Sequence, residues 1–387
     1  MREKRIVYAI IGLLLVLIML SSFFIPKKTI TVNALENYDV CSAQSMCVIE
    51  QSSKRVLLQK DMDTEKAMAS TTKIMTALIA LENCDNLDHQ FKIDNRAVGI
   101  EGTSIYLKND EMLSMRELLY GLMLNSGNDA AMAIAYKIGN GSLETFVDLM
   151  NKKASELNLK HTHFDNPHGL DSKTHYTSAY DLAIITANAM ENEVFREIVK
   201  TDVKQISCPK EMGIRFVRNK HKLLKTMQGC EGVKTGFTDN ARRCCVTSCY
   251  RNNMRLICVV LNCNDMFVES QKCLEKCYKE YTMQSVIQAY KYIDSTNVND
   301  GINEKVNLYI KNGYKYPLKD DEQDKIKFEI DFDEIIDAPV KKDTEVGEIK
   351  VYFENDLIYS EKIYTIEEVK EKTVSDKMKD IIKEWYL

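Results

Sequence analysis

The sequence predicts an α+β chain of two domains. Apolar runs at helical spacing fill its first half, at residues 74–81, 115–122 and 129–135. Two β-like runs follow, 244–250 and 254–263, separated by Arg251-Asn252-Asn253. From Glu304 onward only short β-like runs remain, punctuated by turn residues. A chain of 387 residues with 45% hydrophobic content buries a sizeable core and ordinarily makes two domains.

The amino terminus reads as an export signal. Met1-Arg2-Glu3-Lys4-Arg5 is basic, residues 6–26 are apolar and uncharged, and Lys27-Lys28 follows. Val32-Asn33-Ala34 has the small-residue ending of a signal-peptidase site, which favours cleavage after Ala34. A retained anchor is the alternative, because residues 6–25 are long enough to span a bilayer. Either way, residues 1–34 place the remainder on the extracytoplasmic face of the cell membrane. The net charge of −5 becomes −9 without that segment, which carries five basic residues and one acidic. An acidic balance of this kind argues against nucleic acid as a partner.

Three short motifs carry the chemistry, in this order: Ser70-Thr71-Thr72-Lys73, Ser126-Gly127-Asn128 and Lys234-Thr235-Gly236. Ser70 opens the apolar run 74–81, so Ser70 and Lys73 share one face of a helix that begins near the serine. A serine hydroxyl is a poor nucleophile until a neighbouring base takes its proton, and lysine serves only with a depressed pKa. Burial, the positive end of the helix and the second cation Lys234 all push Lys73 toward the neutral amine. Ser126 and Asn128 occupy a polar loop between two helices, where the hydroxyl can relay a proton and the amide can hold Lys73 or substrate. Lys234-Thr235-Gly236 precedes the β-like runs and is expected on a strand edge, where an extended peptide pairs with backbone and Lys234 and Thr235 meet a carboxylate.

Each piece has a bland reading: a helix cap at Ser70, an inter-helix turn at 126–128, a strand end at 234–236. Jointly these readings demand three coincidences in order. With these motifs the chain resembles the low-molecular-mass penicillin-binding proteins that act as serine D-Ala-D-Ala carboxypeptidases. Residues 69–78, 124–131, Phe164-Asp165-Asn166-Pro167-His168-Gly169-Leu170-Asp171 and 177–183 are similar to the family's segments, and the likeness covers about residues 40–365. The resemblance implies a penicillin-recognising, transpeptidase/β-lactamase-like domain over 35–293, with an antiparallel sheet flanked by helices. It further implies removal of the terminal D-Ala from peptidoglycan stem peptides through a Ser70 acyl-enzyme, reaction with β-lactams, and no cofactor or metal. Lys73, Ser126 and Asn128 would serve proton transfer, and Lys234, Thr235 and Gly236 the substrate. Oxyanion donors would be the backbone N–H groups of Ser70 and of a residue just after Gly236.

Two departures stand out. Where the family has Ala-Gly after the third motif, this chain has Ala241-Arg242, then Arg243. Where the family has an arginine for the substrate carboxylate, Met266 precedes Phe267-Val268-Glu269. Arg242 is therefore the candidate replacement cation, and weak peptide turnover is expected if it fails to replace the missing arginine. Two rival functions are a class A β-lactamase and a wall-binding or sporulation-associated relative without turnover. The first needs a water-activating Glu, and Glu156-Leu157-Asn158 has Ala154 in the expected place.

Twelve cysteines invite a disulfide framework, yet the chain is far larger than the domains that need one. Cys41, Cys47, Cys245, Cys249 and Cys258 lie in strand-like runs and Cys273 and Cys277 on a helix-like stretch, the placement of small buried hydrophobes. No Cys-x-x-Cys pair supports zinc, and His161-Thr162-His163 reads as a loop.

Residues 269–292 read as a long closing helix and 294–301 as a linker. Strands are expected at 305–310, 325–332, 346–353 and 356–363, with turns at Asn312-Gly313 and Glu354-Asn355-Asp356, giving a small antiparallel sandwich over 294–365. Residues 366–387 carry Val369, Val374, Met378, Ile381, Ile382 and Trp385 at helical spacing. This amphipathic segment either packs on the β domain or lies on the cytoplasmic membrane surface.

Overall fold

The computed structural model describes residues 38–385. The segment 1–34 expected to direct export, with the cleavage expected after Ala34, lies outside the described residues. In chain order the strands are β1 (Ser45–Glu50), β2 (Val56–Lys60), the ribbon pair β3 (Gln90–Lys92) and β4 (Met112–Ser114), the ribbon pair β5 (Val203–Ile206) and β6 (Arg215–Arg218), then β7 (Cys230–Thr238), β8 (Arg242–Arg251) and β9 (Met254–Leu261). Five of them form one antiparallel sheet in the order β2-β1-β9-β8-β7.

Side-chain alternation along these strands sorts the core into two layers. Cys47, Ile49, Cys244, Val246, Ile257 and Val259 pack on one face, against helices that include Lys73–Glu82, Met115–Leu124, Asn128–Ile138 and Ala179–Ala189. Met46, Val48, Cys245, Cys249, Leu256 and Cys258 pack on the other, against the helix Met266–Glu280. Both faces are covered, which is why β8 and β9 read as nearly continuous apolar runs. Asn252 and Asn253 turn between them with φ of 51° and 60°, the left-handed pair a two-residue hairpin demands. Eight of the twelve cysteines sit in the second layer; all twelve are free thiols and ten are buried, as small hydrophobes are.

Among the described residues five α-helices carry side-chain N-caps, and Ser114 makes a full capping box with Glu117 at the start of Met115–Leu124. That helix ends at Leu124 and the next, Asn128–Ile138, begins after Gly127, so the Ser126 loop is the short turn between them.

The closing helix ends at Glu280, not at residue 292. Residues 283, 286, 287 and 290 fit helical spacing, but pairing with a strand wins: β10 (Thr282–Ile287) runs antiparallel to β13 (Tyr314–Leu318). The expected linker 294–301 is likewise strand. In β11 (Tyr292–Asn299), Thr296 and Val298 point inward between polar outward residues, so the composition that resembled a linker is an alternation. The remaining strands are β12 (Lys305–Ile310), β14 (Ile326–Phe332), β15 (Ile335–Asp337), β16 (Glu345–Phe353) and β17 (Asp356–Thr365). Six join in the order β14-β16-β17-β12-β11-β15. The β11–β15 pairing is parallel, a departure from the wholly antiparallel expectation.

Arg55, just before β2, joins the two parts. Its guanidinium donates to Pro317 O at 2.5 Å and pairs with Glu322 at 2.7 Å, both side chains only about a tenth exposed. Tyr281, Tyr316 and Phe353 surround it, with the Phe353 ring centre 4.3 Å away.

Candidate active site

Ser70 lies in a 3-10 turn, Ala69–Thr72, that runs directly into the helix Lys73–Glu82. The hydroxyls of Thr71 and Thr72 donate back to the carbonyls of Met68 (2.6 Å) and Ala69 (2.8 Å), which tightens the turn. Lys73 is wholly buried, with Nζ 3.0 Å from Ser70 Oγ, 2.7 Å from Asn128 Oδ1 and 2.5 Å from His168 O. A neutral amine has two N–H donors and one lone pair. Nζ donates to Asn128 Oδ1 and His168 O, and in the neutral form its lone pair is then left for the serine hydroxyl. Burial first, then the charges of Lys234 and Lys220, hold the Lys73 pKa well below the usual lysine range.

The second motif is pinned from several sides. Ser126 sits in left-handed backbone at φ 64° and is buried but for the face it turns to the cleft. Asn128 donates from its side chain to Glu101 O and from its backbone to Thr103 O, both at 2.6 Å. The buried Asp129 carboxylate accepts from Ile105 N (3.0 Å), Leu107 N (3.1 Å) and Ser104 Oγ (2.5 Å). These bonds fasten the 101–107 segment over the loop and fix where the Asn128 amide points.

The third motif lies on β7, the edge strand of the five-stranded sheet, as the sequence predicts. A Cβ on Gly236 would stand 3.0 Å from Ser70 N and 3.1 Å from Met68 O, so the bare glycine lets this edge press against the nucleophile turn. Lys234 is buried and donates to Thr235 O at 2.9 Å. Burial, with the charge of Lys220 second, lowers its pKa to about 7.

The segment 164–171 closes the back of the site. Thr76 donates to Pro167 O at 2.6 Å, and Asn166 Oδ1 accepts from Gly169 N at 2.7 Å. Gly169 stands at φ 88° so close to Ala69 that a Cβ there would lie 1.9 Å from Ala69 O. Burial, with Lys73 second, drops the His168 pKa to about 3. This histidine stays neutral and contributes its backbone carbonyl.

A cleft of about 420 Å³ opens over these groups, lined by Ser70, Ser126, Thr235 and Gly236. Lys73, Asn128 and Lys234 lie immediately behind that wall. The remaining lining is Thr103, Lys220, Phe237, Arg243 and Met266. Arg242, the cation expected from the sequence, is not in it. Arg242 pairs with Thr238 at the end of the β7–β8 ladder, in left-handed backbone at φ 55°, whereas Arg243 pairs with Phe237. Successive strand side chains point to opposite faces, so a one-residue difference exchanges cleft for outer surface. Lys220 and Thr103 were missed from the sequence, since neither belongs to a motif and only the fold brings them here. Glu156 ends the helix Leu143–Glu156 and pairs with Lys153 at 2.9 Å, away from the cleft. Among the described residues the lining of this cleft holds no carboxylate.

A family model for D-alanyl-D-alanine carboxypeptidase matches residues 31–265, and one for the penicillin-binding protein 5 C-terminal domain matches 281–371. The chain is 30% identical over 353 residues to D-alanyl-D-alanine carboxypeptidase DacF of Bacillus subtilis, covering 89% of this chain and 90% of that protein. Among solved structures it is similar to penicillin binding protein 5 from Haemophilus influenzae, with a TM-score of 0.70 and 27% identity over 86% of this chain and 98% of the other. It is also similar to the DD-transpeptidase of Streptomyces strain K15, with a TM-score of 0.56 and 33% identity over 61% of this chain and 95% of that one. The chain belongs to the D-alanyl-D-alanine carboxypeptidase family of low-molecular-mass penicillin-binding proteins.

Proposed function

We infer that the chain is a serine D-Ala-D-Ala carboxypeptidase that removes the terminal D-Ala of peptidoglycan stem peptides and is acylated by β-lactams. The observation that carries this is Lys73: buried, depressed in pKa, and aimed at Ser70 Oγ by two oxygen acceptors. In acylation Ser70 Oγ bonds to the carbonyl carbon of the penultimate D-Ala while its proton passes to Lys73. The C–N bond then breaks, and the departing D-Ala amine takes a proton by way of Ser126. Water attacks the ester in the second half, regenerating Ser70. The edge of β7 offers backbone to an extended peptide, with the Ser70 N–H and the N–H just after Gly236 as oxyanion donors. Lys234 and Thr235, with Lys220 and Arg243 at the cleft wall, are the groups for the terminal carboxylate. A diacyl-L-Lys-D-Ala-D-Ala peptide should lose D-Ala by mass spectrometry. Ser70→Ala should abolish both this reaction and labelling by a fluorescent penicillin at an unchanged melting temperature. Labelling that persists at Ser126 would refute the assignment of Ser70.

The reading extends to location. The helix Val374–Trp385 exposes Val374, Met378, Ile381, Ile382 and Trp385 to solvent. That apolar stripe supports its resting on a membrane surface rather than packing on the β domain. Among the described residues no helix is long and apolar enough to cross a membrane. With the export-type amino terminus, this supports activity on the extracytoplasmic face of the cell membrane. Flotation with anionic vesicles, lost in a Met378→Glu/Ile382→Glu variant, tests the surface attachment.

A further inference from the structure

Strand β14 is the outer edge of the six-stranded sheet, paired with β16 on one side and with nothing described on the other. At ~3.3 Å per residue its seven residues offer about 23 Å of backbone whose outward N–H and C=O groups lack a ladder partner. The same strand is where the core face of the sheet runs out. Phe328 and Ile330 pair in register with Val351 and Ile349, which are 0% and 3% exposed, yet stand 51% and 47% exposed themselves. Lys327, Glu329 and Asp331 alternate with them and are exposed on the opposite face.

This strand is complementary to itself. When two copies run antiparallel about a two-fold axis at Phe328, Phe328 meets Phe328 and each Ile326 meets Ile330. On the other face each Lys327 meets Glu329. The other registers oppose like charges. An axis at Lys327 sets lysine against lysine, one at Glu329 sets glutamate against glutamate, and one at Ile330 sets Glu329 against Asp331. Opposed like charges destabilise a strand pair and opposite charges support it; axes at Lys327 and Glu329 also create opposite-charge pairs, but the register at Phe328 alone has no like-charge pair and is favoured. We propose that β14 is a self-pairing edge, through which two copies of this chain join their six-stranded sheets into one continuous sheet about a two-fold axis at Phe328. The contact is narrow and mostly backbone, so the dimer is concentration-dependent rather than obligate.

The test is sedimentation of the full chain in non-ionic detergent over a wide concentration range, with melting temperature and penicillin labelling as checks of folding. The wild type should pass reversibly from monomer to dimer. Lys327→Glu alone and Glu329→Lys alone should each weaken the dimer about tenfold or more, since two opposite-charge pairs become two like-charge pairs. The double variant, Lys327→Glu with Glu329→Lys, should regain it. Equal amounts of the two single variants should form a mixed dimer, because each then supplies the charge the other lacks. Glu329 also accepts from Tyr352 Oη at 2.9 Å, so the mixed dimer is the decisive readout if either single variant loosens its own sheet. A wild type that stays monomeric, or folded single variants that fail to associate with each other, would overturn the proposal.

Discussion

Two buried lysines of opposite duty should give this enzyme a narrow pH window, and Lys234 sets its upper side. Its pKa is lowered to about 7, by burial first and by Lys220 second. A group with that pKa is about nine-tenths charged at pH 6, half at pH 7 and one-tenth at pH 8. Binding of the substrate carboxylate requires the charged form, so affinity falls as pH rises, about tenfold in kcat/KM between pH 6 and pH 8. Lys73 has the reverse requirement, since only its neutral amine can accept the Ser70 proton. Rate therefore rises as Lys73 loses its proton and falls as Lys234 loses its own. Lys234→Arg separates the two, because a guanidinium stays charged at any working pH. D-Ala release from the diacyl tripeptide, measured as kcat/KM across this range, should show the alkaline fall in the wild type and none in Lys234→Arg. The acid limb should remain in both. An alkaline limb at the same pH in Lys234→Arg, or a wild-type profile that stays level above neutrality, would refute the reasoning.

The cleft wall makes a second expectation. Lys220→Met and Arg243→Ala should each lower kcat/KM for the peptide by roughly ten- to 150-fold, the value of a hydrogen bond to a charged group, while Arg242→Ala should leave it within twofold. Removing Lys220 also removes one of the charges that depress Lys73, so the acid limb should move to higher pH. Gly169→Ala drives a Cβ to 1.9 Å from Ala69 O and 2.8 Å from Thr72 Oγ1 at φ 88°. It should cost about 3 kcal/mol or more in denaturant unfolding, together with penicillin acylation. Arg55→Ala removes the cation paired with the buried Glu322, leaving it the Lys319 N–H, and should cost about 3 kcal/mol, seen as faster proteolysis between Glu280 and β11 with the rate of penicillin acylation retained.

Most of the site was legible because its parts are local. Ser70 and Lys73 meet within one helical turn, and the Ser126 loop is bounded by helices whose apolar spacing is written in the chain. The β8–β9 hairpin announces itself by Asn252 and Asn253. What escaped depends on which distant segments the fold brings together. Lys220 reaches the cleft only because the chain crosses from β6 to β7 beside it, and His168 acts through a carbonyl that no side-chain pattern reveals. The choice between Arg242 and Arg243 turned on a strand phase that the flanking residues leave open. Residues 294–301 show the same limit in the fold: alternating Thr296 and Val298 among Asp, Ser and Asn look like a linker until partner strands cover every second side chain.

The Arg55 joint has a consequence for reach. The Arg55 guanidinium meets a buried carboxylate, a carbonyl and three rings, so the catalytic part and the β domain are tied at several points at once. With the membrane contact proposed for its carboxy-terminal helix, the β domain would be the post that sets how far the cleft stands above the lipid. Shortening the post, rather than altering the cleft, would be the way to change which peptides are trimmed.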